Sequence, residues 1–495
     1  MIEYTQYTEK LVGDKLMNGL KSRFSYKLKR FWAALMDIFG PKKVAIFGLV
    51  LVGIMALIIM LCTRSCGSSE ANNEIDGENS DLPTVISEVT GRKLPKSTSE
   101  LKKEADTISA MYDYDKALEL IAEYESTYEN TVDLTPYKEQ IQLEKNQVVR
   151  WEDTTHIPHI FFHSLIADPS RAFDGDEDND GYNLYMTTVD EFNEIIQQMY
   201  VRGYVLVDIH DMIKQVKLED GSTVYRQGDI YLPAGKKPFV LSVDDVNYYK
   251  YMTDGDGDGY ADAKGDGFAH KLVIGSDGMV TNEYYEKDGS LVTGSYDVLP
   301  LLEDFIKLHP DFSYRGAKGI LAVTGFEGVF GYHTHPDWKN VLSAEEYNKE
   351  FEEAKAVSEA IKAQGWVIAS HSYAHFGYGT ADAYNLAADV QKWEDQIQPI
   401  VGDTDVFIYP FGQDIAGAEE YQGAKYLTMR EAGYRIFCNV DASCDYWVQI
   451  HDGYMRQGRI NLDGYRLYHT PGLVDHLIDA TTVIDKYRPL PVPSM

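Results

Sequence analysis

The sequence is poor in cysteine and in positive charge. Only 4 cysteines occur among 495 residues, which excludes a small fold held together by disulfides. Lys and Arg total 46 against 78 Asp and Glu, giving a formal net charge of -32. A nucleic-acid partner would require clustered positive charge, so the composition argues against one. The hydrophobic fraction of 44% is large enough for a folded core and argues against global disorder.

Charge is absent from the stretch 44–62, in which all 19 residues are uncharged and most are apolar. A segment of this length spans a bilayer core. The preceding segment 1–43 is basic, whereas acidic and polar residues follow. The positive-inside rule therefore predicts a single-pass protein of the cell membrane, with a cytoplasmic N-terminus and an extracellular bulk. A cleaved signal peptide is the alternative, but its charged leading region would be far too long.

The remaining sequence predicts three further parts. Residues 63–97 are rich in Ser, Asn, Gly and acidic residues, which is typical of a flexible linker. Two helical stretches within 98–150 predict a small helix pair, with Pro136 in the first turn of the second helix. Across 151–485, short apolar runs alternate with amphipathic helices, which predicts a parallel α/β fold. Such folds place their chemistry at the carboxyl ends of the strands.

Two adjacent carboxylates, Asp244 and Asp245, end one of these apolar runs. Neighbouring side chains at a strand end point in different directions, so one carboxylate could bind a metal while the other acts as a base. A solvated strand end is the alternative interpretation.

Two histidines four residues apart, His371 and His375, follow another apolar run. In a helical turn, residues at this spacing lie about 6 Å apart, and two imidazoles there can hold one ion. His159 and His163 share the spacing, but a strand separates them by about 13 Å. An aspartate with two histidines leaves an open position for water, the pattern of a catalytic zinc site. A structural histidine pair is the alternative.

In their order along the chain, these motifs resemble the NodB-homology polysaccharide deacetylases of carbohydrate esterase family four. The matching segments are 242–245 (S-V-D-D), 371–375 (H-S-Y-A-H) and 409–412 (Y-P-F-G), and the similarity covers about 155–470. The resemblance implies a distorted (β/α)7-type barrel that removes acetyl groups from glycans containing N-acetylglucosamine. A strand-rich insertion is expected in the long interval between the first two motifs.

The resemblance also implies roles for individual residues. Asp244 would be the general base. Asp245, His371 and His375 would hold a divalent metal, Zn²⁺ in the first place, with Co²⁺ or Ni²⁺ as alternatives.

The turn at 409–412 would complete the site. Its backbone N–H at Phe411 would stabilise the oxyanion together with the metal. Tyr409 and Pro410 would contact the substrate.

The leaving amine needs a proton donor, which the branch of poly-N-acetylglucosamine deacetylases with a permuted domain places on the first strand. The segment around His163 is similar to that strand, so His163 is predicted to be the general acid, with His469 as the fallback. The arginine that many family members place before the Y-P turn is missing here. Arg459 is the predicted substitute, and a surface ion pair is the alternative.

One acidic loop resembles a calcium site, because its aspartates follow the D-x-D-x-D-G-x-x-D pattern. These residues are Asp254, Asp256, Asp258 and Asp262. Position twelve is Gly265 rather than Glu, and a solvated acidic turn is the alternative.

These features predict a membrane-anchored, extracellular, metal-dependent N-deacetylase of a glycan such as peptidoglycan or an exopolysaccharide. Two alternatives stay open at this stage. One is a catalytically silent glycan-binding module on the same fold, and the other is a different metal-dependent amidase or esterase.

Overall fold

We describe the fold from a computed structural model, in which the described residues are 92–128, 132–441, 443 and 446–494. Within these ranges, no helix combines the length and the apolar character that crossing a membrane requires. The predicted cytoplasmic segment 1–43, the predicted transmembrane helix 44–62 and most of the predicted linker 63–97 lie outside the described residues.

The helices and strands are numbered in chain order. The helices are α1 Thr98–Ala110, α2 Tyr114–Thr127, α3 Thr135–Lys145, α4 Pro169–Ala172, α5 Asn179–Tyr185, α6 Val189–Val201, α7 Lys250–Thr253, α8 Val298–Leu308, α9 Ala344–Ala363, α10 Ala383–Gln396, α11 Gln398–Val401, α12 Gly423–Glu431, α13 Gly464–His469 and α14 Ala480–Val483. The strands are β1 Val148–Arg150, β2 His159–Phe162, β3 Tyr204–Leu206, β4 Ile213–Lys217, β5 Thr223–Gln227, β6 Tyr231–Pro233, β7 Lys237–Val243, β8 Lys271–Ile274, β9 Val280–Tyr285, β10 Leu291–Gly294, β11 Ile320–Val323, β12 Val367–Ser370, β13 Val406–Ile408, β14 Ile436–Val440, β15 Val448–Ile450 and β16 Met455–Asn461.

Seven parallel strands close into a barrel. The ring runs β2, β7, β11, β12, β13, β14 and β16, and β16 pairs with β2 to close it. This is also their order along the chain. All four residues of β2 and of β11 are buried, as expected for parallel strands that are covered on both faces. The predicted (β/α)7-type barrel is confirmed.

Three additions extend the barrel. Strand β3 pairs with the first half of β7, whereas β11 pairs with the last two residues of β7. Strand β15 pairs antiparallel with β16. The predicted insertion between β7 and β11 is a three-stranded antiparallel sheet of β8, β9 and β10, so this expectation is also confirmed.

The predicted helix pair is in fact three helices, because the first helical stretch breaks between α1 and α2. At the break, Tyr112 adopts a φ of 63°, and its hydroxyl donates to the Asp311 carbonyl at 2.7 Å. The Arg315 N–H donates to the Met111 carbonyl at 2.6 Å. These contacts with the barrel domain outweigh the local helical preference, which sequence periodicity alone could not register.

The three helices close the amino end of the barrel. One continuous apolar cluster joins buried residues of α1, α2 and α3 with strand residues of the barrel, among them Leu101, Leu120, Ile141, Val240, Ile320 and Val406. The helices are therefore part of the barrel core rather than a separate spacer.

Leu120→Ala is expected to lower the free energy of unfolding of the whole domain by about 2–5 kcal/mol, the usual cost of truncating a buried leucine. Leu120 is 1% exposed. Leu143→Ala is the matched control, because Leu143 is 62% exposed and surface changes stay within about 0.5 kcal/mol. Denaturant unfolding followed by far-UV circular dichroism measures both. If the helices were an independent unit, Leu120→Ala would add a separate early transition and leave the barrel transition unchanged.

The domain also continues past the predicted boundary at residue 485. Arg488 is buried and pairs with the equally buried Glu191 of α6, with Nε–Oε1 at 2.7 Å. The guanidinium also donates to the Asn183 carbonyl at 2.8 Å. These bonds attach the C-terminal segment to the outside of the barrel.

Candidate active site

The barrel brings the predicted metal ligands together at the carboxyl ends of β7 and β12. Asp245, His371 and His375 each offer a ligand atom, and these atoms lie within 4.8 Å of one another. The Nε2 of His375 is 3.6 Å from Oδ2 of Asp245. The centroids of the two imidazole rings are 5.0 Å apart. The chain thus supplies one oxygen and two nitrogens around a common point.

Unusual backbone conformations aim these side chains. Asp245, Ser372 and His375 have φ values of 57°, 60° and 48°, a region that non-glycine residues seldom occupy. Such residues persist only when their surroundings hold them, and they concentrate at functional sites. Here Asp389 of α10 holds the histidine loop by accepting from the N–H groups of Tyr373 at 2.7 Å and Ala374 at 2.8 Å.

Hydrogen bonds also fix the orientation of two ligands. The Nδ1 of His371 lies 2.8 Å from the Ile408 carbonyl, which can only accept, so Nδ1 carries the proton and Nε2 is left with its lone pair. Burial lowers the pKa of His371 and favours the neutral form that a metal ligand needs. The Tyr249 hydroxyl donates to Oδ1 of Asp245 at 2.7 Å.

This donor set fits a divalent cation. Three protein ligands with a free approach are typical of catalytic zinc sites. The bonds from Ile408 and Tyr249 to the ligands are of the supporting kind that orients metal ligands in proteins.

Asp244, the predicted base, is 3% exposed and forms a two-point ion pair with Arg459. The Nη1–Oδ1 distance is 2.7 Å and the Nη2–Oδ2 distance is 2.9 Å. Burial opposes ionisation, but the Arg459 guanidinium outweighs it and holds the pKa of Asp244 well below its usual range. Because Arg459 is only 1% exposed, the alternative of a surface ion pair is wrong.

Arg459 is itself held in place from several sides. Its Nε donates to the Asn439 carbonyl at 3.2 Å, and Nη1 donates to Ser242 Oγ at 3.1 Å. The Phe161 ring lies 4.1 Å from the guanidinium carbon. Ser242 Oγ is also 2.9 Å from Nε2 of the buried His159, whose Nδ1 lies 3.1 Å from Gln457 Oε1. Both ring nitrogens of His159 thus have partners, and His159 does not belong to the group of candidate metal ligands among the described residues.

His163, the predicted acid, follows β2 on the same end of the barrel. Its ring centroid lies 5.9 Å from that of Phe161, and its charge contributes to lowering the pKa of Asp244. A second carboxylate, Asp463, also senses His163. Burial raises the pKa of Asp463, while a bond from Asn461 and the charge of His163 oppose the rise. His163 is therefore within electrostatic reach of two buried carboxylates, Asp244 and Asp463.

The fallback acid, His469, has another role in the structure. Its Nε2 lies 3.0 Å from the Val492 carbonyl and 2.9 Å from the Pro493 carbonyl. Both groups only accept, so His469 donates to the C-terminal segment.

The turn at 409–412 offers one exposed side chain. Tyr409 and Pro410 are buried, and the Tyr409 hydroxyl lies 3.0 Å from that of Tyr421. Their side chains therefore present no surface to a substrate, contrary to the sequence prediction. Phe411 is 67% exposed, and its ring centroid lies 4.7 Å from that of His375. The predicted oxyanion role of its N–H stays a prediction.

The acidic loop partly follows the calcium pattern. Asp254, Asp256 and Asp262 offer ligand atoms within 4.8 Å of one another. Among the described residues, Asp258 is not part of this group. Lys264 Nζ lies 3.3 Å from Asp256 and already offsets some of the negative charge. Calcium binding stays a prediction.

Sequence reasoning missed two carboxylates that support the site. Asp389 occupies a position on the buried face of α10, between Leu386, Val390 and Trp393. An acidic residue among the apolar positions of a helix would have indicated a structural or functional role, because acidic residues are seldom buried without a partner. Asp463 follows the carboxyl end of β16, where the same strand-end rule would have drawn attention to it.

The chain has only distant similarity to known proteins. No protein-family model matches it, and no curated protein matches it significantly. It is similar to the structure of the Streptococcus pyogenes deacetylase PplD in complex with acetate, with 14% identity, a TM-score of 0.31, and 65% of this chain and 98% of that chain covered. It is also similar to a Mycobacterium smegmatis protein provisionally named a polysaccharide deacetylase, with 14% identity, a TM-score of 0.20, and 30% and 42% covered. At these values neither likeness establishes a family or an activity, so the function is inferred from the side chains of the site.

Proposed function

We propose that the chain is a metal-dependent polysaccharide deacetylase, which hydrolyses the acetamide of N-acetylglucosamine units. One observation carries the proposal. An arginine-paired carboxylate, Asp244, directly precedes Asp245 of the Asp-His-His cluster at the barrel end, within electrostatic reach of His163. A base, a metal site and an acid in one place are the parts that amide hydrolysis needs.

Each part has a defined task in the reaction. A divalent cation at Asp245, His371 and His375 would polarise the acetyl carbonyl and lower the pKa of a bound water. Asp244 accepts the proton of the attacking water, and Arg459 fixes its two oxygens. His163 donates a proton to the amine nitrogen as the C–N bond breaks, which releases acetate and leaves a free amine on the sugar. Zn²⁺ suits the two-nitrogen, one-oxygen donor set, with Co²⁺ or Ni²⁺ as alternatives.

Exposed aromatic rings around the site support a sugar substrate. Phe411, Phe326 and Tyr251 are 67%, 54% and 52% exposed. The ring centroids of Tyr249 and Phe326 are 6.2 Å apart, and those of Tyr249 and Tyr251 are 6.0 Å apart. Aromatic rings offer large, rigid apolar faces with a defined geometry, which suit the flat apolar faces of pyranose rings. We further propose that the substrate is an extracellular glycan, reached from a membrane anchor at 44–62.

The experiment that tests the proposal measures acetate. The purified full-length chain is incubated with N-acetylglucosamine oligomers, with added Zn²⁺ or with a chelator. Release that the chelator stops and Zn²⁺ restores supports the deacetylase. No acetate from any oligomer, with metal bound to the protein, would favour another amidase or esterase. If the chain neither releases acetate nor binds metal, the result would favour a silent glycan-binding module.

The role of His163 can be tested with the leaving group. His163→Ala is expected to lower the turnover of an acetylated amine by about 10²–10⁴-fold, the usual contribution of a general acid. The turnover of an activated aryl acetate, whose leaving group needs no proton, should fall far less in the same variant. Parallel rates on the two substrates measure this, with His156→Ala as the control because the His156 side chain is 66% exposed. Equal losses on both substrates would show that His163 does not act as the acid.

A further inference from the structure

The outer face of three neighbouring strands carries a polar cleft that the proposed reaction does not use. The cleft has a volume of about 560 Å³ and lies over β14, β15 and β16, beside the loop that follows the 409–412 turn. Its size falls within the usual range for small-ligand sites, roughly 300–1,000 Å³.

Strand register explains why polar residues meet there. Gln449 of β15 lies directly opposite Arg456 of β16. Asn439 of β14 lies opposite Gly458, two residues further along β16. Because side chains alternate along a strand, these residues share one face, while Gln457 and Arg459 project into the barrel towards His159 and Asp244.

Three polar atoms of this face lack hydrogen-bond partners within the described part of the chain. They are Oδ1 of Asn439, Oε1 of Gln449 and Nε of Arg456, and all three are buried. Buried polar groups in native proteins nearly always have a partner, so each exception calls for an explanation. The two acceptors and the donor belong to residues that line the cleft, so a ligand that both donates and accepts matches the polar character of this lining.

An indole ring forms one wall of the cleft. Trp447 lies against Gly458 so closely that a Cβ there would be 2.8 Å from the indole nitrogen. Trp447 Nε1 donates to Asp441 at 2.8 Å, which fixes the ring. Aromatic side chains with a bonded polar edge provide rigid stacking surfaces.

The charges of the cleft disfavour an anion. Arg456 is 2% exposed and pairs with Asp414 at 2.8 Å, so these two charges cancel. Asp441 leaves one negative charge at the edge. The cleft therefore suits an uncharged ligand with several hydroxyl groups and an apolar ring face, which is the chemistry of a sugar ring.

We propose that this cleft is a second sugar site, which binds an uncharged pyranose unit of a glycan chain away from the metal ligands. The assignment of that unit to the chain being deacetylated rests on the proposed function, but the recognition of an uncharged sugar does not. The site would hold the polymer while another unit reacts.

The test uses a β-linked glucose hexamer, which has no acetyl group to lose, so binding is separated from catalysis. Calorimetric titration of the full-length chain is expected to detect binding. Gln449→Leu and Trp447→Ala should each weaken it by about tenfold, the effect of losing one hydrogen bond or stacking contact. Tyr384→Ala is the matched aromatic control, because Tyr384 is 81% exposed and lies outside the cleft.

Gln449→Leu keeps the side-chain volume and removes a buried carbonyl without a partner, so its thermal midpoint should stay unchanged or rise. A folded Gln449→Leu protein with weakened hexamer binding and unchanged acetate release from the N-acetylglucosamine dimer supports the second site. Absence of hexamer binding, or equal binding by all variants, overturns it whether or not the chain releases acetate. If the wild-type chain releases no acetate from N-acetylglucosamine oligomers, the result would instead contradict the proposed function.

Discussion

Asp244→Asn is expected to lower acetate release by about 10²–10⁴-fold, the range that removal of a general base covers. The amide cannot accept the proton of the attacking water, while Asp245, His371 and His375 are left in place. Metal content, measured by elemental analysis of the dialysed protein, should therefore stay at the wild-type level. Asp475→Asn is the control, because Asp475 is an exposed carboxylate outside the metal site.

The same substitution leaves Arg459 buried without its counter-charge, which costs about 3–5 kcal/mol of stability for a buried pair that loses one partner. A second variant separates this effect from catalysis. Asp244→Asn combined with Arg459→Gln removes both charges, so the thermal midpoint should recover most of the loss while acetate release stays low. Activity that returns with stability in the double variant would contradict the role of Asp244 as the base.

The strand-end rule explains why the main site residues could be identified from sequence. Asp244, Asp245 and His371 follow apolar runs that proved to be β7 and β12, and parallel strands bring such positions to one end of the barrel. The spacing of His371 and His375 then placed both rings on one side of a tight turn, although the backbone there is left-handed rather than helical. Local patterns were sufficient because the chemistry lies at the ends of regular elements.

Other parts of the site depend on packing, which sequence patterns do not report. Tyr409 belongs to a motif, yet its side chain is buried against Tyr421, since the turn exposes only Phe411. Asp389 acts on the histidine loop from a neighbouring helix. The break near Tyr112 arises from a contact with Asp311, which lies far away in the sequence. Each of these features is set by residues distant along the chain, so no local window contains the cause.

His371→Ala should abolish metal binding under conditions in which the wild type retains one ion. His371 is 1% exposed and its Nδ1 is fixed by the Ile408 carbonyl, so its Nε2 is left to bind the ion. Loss of a supporting hydrogen bond alone typically weakens metal binding by about 10–100-fold, and loss of the ligand itself should exceed that. Competition with a coloured chelator measures the affinity of each variant.

Two comparisons make the result specific. His156→Ala should leave the metal affinity unchanged, because the His156 side chain is 66% exposed. His375→Ala should behave like His371→Ala, because the two rings face a common point with Asp245. Acetate release should fall in both ligand variants, and excess Zn²⁺ should not restore it to the wild-type rate. Wild-type metal affinity in His371→Ala would place the ion elsewhere, with the acidic loop around Asp254 as the next site to examine, and the proposed reaction would lose its cation.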